Sequence, residues 1–169
     1  NQKELKNRLV ILDELIKLNK KTKELLIYLT EKLPNRKFIL RPHPSESLKD
    51  WQNFFKKNSK ILNNTSLDVE HDINALIFNS KILINSKSAC GLQALMQKKI
   101  VISFVPKSNI KDDNKRIVDE TGYLAETIEK VFSILTKKLN NIFIPSKKNN
   151  SKIILDHIKN FHNKQNAAK

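Results

Sequence analysis

Apolar residues recur at helical spacing along the start of the chain: Leu5, Leu9, Leu12 and Ile16, then, after a polar interval at 19–23, Leu25, Leu26, Leu29 and Leu33. The pattern predicts a helical hairpin or one bent helix, ended by Pro34-Asn35. Lys37-Phe38-Ile39-Leu40-Arg41 reads as a short buried strand that Pro42 and Pro44 stop. A polar helix over 47–57 follows, with Ser47 as N-cap and Asp50 three residues on, a weak form of the capping box. Ile61-Leu62 is the next strand and 63–66 a loop, and 68–79 reads as helical with Ile73, Leu76 and Ile77 inward. Residues 81–85 form a strand, 88–97 a helix, and 100–105 the most β-like run, closed by Pro106. A polar loop over 107–114, a helix over 123–139 and a last amphipathic helix on Ile153, Ile154, Ile158 and Phe161 complete the pattern.

Strands and helices alternate regularly, which predicts βαβ units and a parallel sheet. The expected fold is α/β: a Rossmann-like, three-layer parallel sheet with helices on both faces. Its expected organisation is a leading helix or hairpin over 1–36 packed on the domain, a Rossmann-like core over 37–140, and a basic tail with a C-terminal helix over 141–169. A doubly wound sheet ordinarily opens on a strand, whereas this sequence opens inside a helix without an initiator Met. It reads as a segment of a longer protein.

Composition narrows the function classes. With 169 residues, 39% hydrophobic, and no apolar run near the ~20 residues that span a bilayer, the chain suits one soluble globular domain. A single Cys excludes a disulfide scaffold and a cysteine-rich zinc module, and the lack of a signal-peptide pattern makes the cytoplasm the expected compartment. The net charge of +15, from 32 Lys+Arg and 17 Asp+Glu, raises nucleic acid or an anionic membrane as partner. Two counts weaken the first: only four of the basic residues are Arg, beside 20 Asn, a bias that resembles A/T-rich codon usage. The excess is also flanking, with ten basic against five acidic residues over 1–37, fourteen against eleven over 38–136, and eight against one over 137–169. No nucleic-acid partner is therefore expected, and peripheral contact of the lysine-rich flanks with the inner membrane remains open.

Ligands of open α/β sheets bind at the carboxyl ends of strands, and two such ends carry notable chemistry. In Arg41-Pro42-His43-Pro44-Ser45-Glu46 the prolines restrict the backbone around His43, so an imidazole is held at a strand end. His43 there could donate to a phosphate oxygen, with Glu46 orienting it or taking a ribose hydroxyl; equally, the segment could be a rigid turn whose His caps a carbonyl. In Asn85-Ser86-Lys87-Ser88-Ala89-Cys90-Gly91, hydroxyls and free N–H groups open a helix, a ready anion site. Gly91, one of only two glycines, lies in the first helical turn, where it implies close approach to the backbone, either by a ligand or by the sheet on which the helix packs. No G-x-G-x-x-G or P-loop motif is present.

These residues, with Trp51, the run Ile82 to Ser88, Leu92-Gln93-Ala94-Leu95 and Lys99 to Phe104, resemble the C-terminal half of bacterial surface and capsular carbohydrate biosynthesis proteins of the GT-B glycosyltransferase fold. The likeness covers about residues 20–135. More distantly the chain is similar to sialyltransferases and Kdo transferases with a His-Pro motif, and to polyol-phosphate transferases of teichoic acid synthesis. The resemblance implies a nucleotide-binding core and a CMP-, CDP- or UDP-activated sugar as substrate, with no metal or other cofactor. It implies that His43, Ser86 and Ser88 contact the nucleotide phosphate and that Glu46 is a ribose or His partner. Arg41, Ser66 and Gly91 complete the expected nucleotide site. A glycan or glycolipid acceptor would belong to the N-terminal half of such an enzyme, absent from this sequence. The relatives commonly have a small residue where Lys87 stands and a Glu where Gln93 stands.

Other residues read as structural. His71 among Asp68, Glu70 and Asp72 reads as a solvated acidic turn rather than a metal site; Cys90 as a small apolar residue; Trp51, Phe54 and Phe55 as core rather than a stacking platform. Asp112-Asp113 is not a D-x-D motif, His157 and His162 belong to the basic tail, and Lys107 is a weak site candidate.

Overall fold

The computed structural model describes residues 2–86, 88–107 and 122–140. The expected helix on Ile153 to Phe161, the tail over 141–169, Lys87, Asp112-Asp113, His157, His162 and most of the 107–114 loop lie outside the described residues. The chain is mixed α/β and divides into two compact units, Asn1–His71 and Asp72–Lys169.

The first unit is built from helix α1 (Gln2–Lys32), strand β1 (Phe38–Leu40), helix α2 (Leu48–Lys57) and strand β2 (Thr65–Leu67). The expected hairpin or bend in α1 is absent. The polar interval holds no Gly or Pro, and Asn, Lys and Thr cost only a few tenths of a kcal/mol each in a helix. Thr22 bonds back to the Leu18 carbonyl at 2.9 Å, and Lys21 pairs with Glu24 at 2.7 Å, so the turn continues. Beyond the interval α1 buries Leu25, Leu26 and Leu29. Trp51 of α2, 1% exposed, completes this core with Leu62, in agreement with its reading as a core residue. Ser47 caps α2 as expected, accepting from the Asp50 N–H at 3.2 Å.

β1 and β2 are parallel, with Phe38 beside Thr65, Ile39 beside Ser66 and Leu40 beside Leu67. The second strand thus lies later than the expected 61–62. The N–H groups of Ile61 and Leu62 bond back to the Asn58 carbonyl at 3.0 and 2.9 Å and make a turn, leaving Leu62 as a buried plug. Pairing starts only at Thr65, whose hydroxyl also meets that of Thr30 at 3.0 Å.

The second unit contains α3 (Ile73–Asn79), β3 (Ile82–Asn85), α4 (Cys90–Met96), β4 (Ile100–Phe104), β5 (Tyr123–Ala125) and α5 (Ile128–Asn140). Its three strands are parallel in the order β3-β4-β5. Residues 101–104 of β4 are all buried, and since successive side chains point to opposite faces, both faces of this central strand are covered. Ile77, Ala94 and Val101 form a cluster against which Cys90 packs, as its apolar reading implied. Two boundaries differ from the pattern. Asp72 caps α3, accepting from the Asn74 and Ala75 N–H groups, so the expected helix over 68–79 begins at Ile73. The expected helix over 123–139 is a strand and then a helix: Tyr123–Ala125 pairs with the open edge of β4, and Thr127 restarts the chain by accepting from the Lys130 N–H at 3.2 Å.

The strands therefore form two small parallel sheets among the described residues, of two and three strands, rather than the single sheet expected.

Candidate functional site

Parallel pairing brings the carboxyl ends of β1 and β2 side by side, so the loop 41–46 and the turn after Leu67 share one edge of the first unit. Arg41 reaches across it, with Nη1 3.5 Å from Oδ1 of Asp68. His43 is exposed, and its ring is fixed by Ser45: Nδ1 lies 2.7 Å from the Ser45 hydroxyl and accepts from the Ser45 backbone N–H at 3.2 Å. A ring nitrogen that accepts from an N–H carries no proton. In the neutral imidazole the proton is then on Nε2, which makes that atom a hydrogen-bond donor without need of a positive charge.

Two roles are expected for Glu46, orienting the imidazole or taking a ribose hydroxyl; its contacts show a third, to the backbone of the loop rather than to the ring. Its Oε2 accepts from the His43 backbone N–H at 2.8 Å and its Oε1 from Asn19 Nδ2 of α1 at 2.8 Å. The carboxylate closes the loop on itself and ties it to α1, while the ring's partner is Ser45. Ser66 lies within β2 beside Ile39, on the exposed face of the strand pair, not in a loop.

Asp68 and His71 belong to the acidic turn that follows β2. Asp68 accepts from the backbone N–H groups of His71 and Glu70 at 3.1 and 3.2 Å, and its Oδ2 lies 2.7 Å from His71 Nδ1. These hydrogen bonds, that from the His71 backbone foremost, hold the Asp68 carboxyl below the usual carboxylate range, against the opposing effect of burial. No group of three or more His, Cys, Asp or Glu among the described residues could hold a metal ion.

In the second unit the loop after β3 carries Ser86 and Ser88, both half-buried. The Ser88 N–H donates to Oδ1 of the buried Asn85 at 3.4 Å, and the Ser88 hydroxyl accepts from the Cys90 N–H at 3.3 Å. Asn85 Nδ2 is buried without an acceptor. Gly91 is buried in the first turn of α4, three residues before the buried Ala94. Lys107 pairs with Glu126 at 3.6 Å. No helix among the described residues is long and apolar enough to cross a membrane.

The sequence matches no family model and no curated protein.

Sequence reasoning found Arg41 and His43 but missed Ser45, Asn19 and Asp68. Ser45 was legible in principle, as a hydroxyl two residues from the ring. Asn19 and Asp68 reach the loop only through tertiary packing, from 27 residues away along the chain in each direction.

Proposed function

We propose that the chain is the donor-binding domain of a glycosyltransferase that uses a CMP-, CDP- or UDP-activated sugar in surface polysaccharide or capsule biosynthesis. The observation that carries the reading is the His43 ring, an exposed imidazole held by Ser45 on a loop that also carries Arg41, at the carboxyl edge of a parallel strand pair. The motif resemblance supports the same residues.

In this role the nucleotide phosphate accepts a hydrogen bond from His43 Nε2 and is attracted by Arg41. As the sugar–phosphate bond breaks, negative charge grows on the leaving phosphate. Donors already in place stabilise that charge without reorganising, which is electrostatic catalysis. Glu46 and Asn19 act on the loop that presents the ring.

Calorimetry of the 169-residue chain with millimolar CMP, CDP and UDP tests the reading. One of the three is expected to bind, and His43→Ala to weaken it roughly tenfold to a hundredfold, the loss of one hydrogen bond to a charged acceptor. No heat with any nucleotide, or binding indifferent to His43→Ala, refutes the assignment. Ser86→Ala and Ser88→Ala, measured separately, test the loop after β3.

A further inference from the structure

We propose that the amino-terminal half of α1 is a self-association surface through which two copies of the chain pair as antiparallel helices. Leu5, Leu9, Leu12 and Ile16 are 60, 57, 53 and 61% exposed. Their 4-3-4 spacing puts them in one seam along a single helix face, the d, a, d and a positions of two heptads. Leu15, 55% exposed, stands at a flanking position of that seam. Isolated surface leucines are ordinary, but four large apolar side chains in one seam of a two-heptad segment, with Leu15 beside them, make a contiguous patch of the kind that marks an interface.

The charges flanking the seam argue for a second copy as the occupant. Lys6 and Asp13 each follow a seam leucine and lie on the same side of it. In an antiparallel pair Leu5 meets the partner's Ile16 and Leu9 meets the partner's Leu12. The same alignment sets Lys6 against the partner's Asp13, and Asp13 against the partner's Lys6, so that by symmetry each Lys6 joins the exposed pair, 2.7 Å long, that Asp13 makes with Lys17 of its own helix. On the other side Arg8 meets the partner's Leu15, where its aliphatic stem can cover the leucine.

The antiparallel sense is favoured by where the seam stops. The next seam positions are Asn19 and Lys23. Asn19 is engaged by Glu46, and the Lys23 ammonium lies 4.9 Å over the Trp51 ring. A parallel pair would extend into these committed residues and set Lys23 against the partner's Lys23. An antiparallel pair confines the overlap to residues 2–18. Two heptads fall short of the three to four that sustain a firm coiled coil, so the dimer is weak and dissociates on dilution.

Sedimentation equilibrium of the full 169-residue chain, from about 5 to about 500 micromolar, reads this directly. A monomer–dimer equilibrium is expected, abolished by Leu9→Glu with Leu12→Glu. Lys6→Asp, which turns both unlike pairs into like ones, should raise the dissociation constant roughly tenfold. Lys6→Asp with Asp13→Lys should restore it. All these sites are exposed, and far-UV circular dichroism of each variant checks that the helix persists. A chain monomeric across the whole range overturns the proposal. So does association that ignores Lys6→Asp, or that the double charge swap fails to recover.

Discussion

Gly122→Ala adds one methyl group and should disrupt the second unit far more than a surface substitution. Gly122 immediately precedes β5 and has φ of +80°. A side chain in that left-handed region costs about 1–2 kcal/mol. A Cβ there would also be driven into the carbonyl oxygen and Cβ of Val101 on the neighbouring strand β4. Those atoms belong to, or are fixed by, the backbone of a buried strand and cannot swing aside, so overpacking adds about 1–3 kcal/mol. The combined loss of about 2–5 kcal/mol is a large part of the 5–15 kcal/mol that typically holds a domain. In urea, with a slope of about 1–3 kcal/mol/M, the midpoint should fall by about 0.7 M or more. Far-UV circular dichroism follows the transition, and amide exchange at Val101 to Phe104 localises the damage to β4. Val101→Ala should not rescue the variant, because both clashing atoms remain. A midpoint shift worth less than about 1 kcal/mol would refute the argument that β5 is held against β4 by this glycine.

Three further outcomes are expected. The carboxyl of Asp68 is depressed in the folded state, so its contribution to stability is complete above its unfolded value near 3.8 and is lost as pH falls through the lower folded value. Acid titration of the wild type and Asp68→Asn should show the difference narrowing in that range, and a difference constant with pH would contradict it. Glu46→Ala removes the acceptor for the His43 N–H and for Asn19; a loss of about 1–3 kcal/mol is expected, with faster amide exchange at His43. Trp51→Ala should cost the first unit about 3–5 kcal/mol by denaturant titration, whereas Trp51→Phe should cost markedly less, since it removes a buried Nε1–H that has no acceptor.

The most legible parts were those whose signal is local. The strands at 82–85 and 100–104 stand out as β-branched runs bounded by polar residues and Pro106, and the Ser47 cap depends on a hydroxyl three residues from its donor. The loop at 41–46 was legible for the same reason, since Pro42 and Pro44 restrict their own neighbours whatever else the chain does. Assignments failed where two local readings were close in energy. Tyr123-Leu124-Ala125 can begin a helix as readily as extend a sheet, and the open edge of β4 decided it by taking up its backbone hydrogen bonds. Ile61-Leu62 has the composition of a strand, but bonding back to Asn58 made it a turn.

By itself, then, the sequence determined that this protein is mixed α/β with parallel strands, and that Arg41 and His43 stand at a strand end, because periodicity and proline restriction act over a few residues. The tertiary structure alone decided the partners of that end. Asn19 arrives from α1 and Asp68 from the end of β2, and Ser45 holds the ring of His43 through its hydroxyl and its backbone N–H. Such contacts depend on which elements pack together, and packing is set by the burial of Leu25, Leu26, Leu29, Trp51 and Leu62 rather than by any spacing readable along the chain.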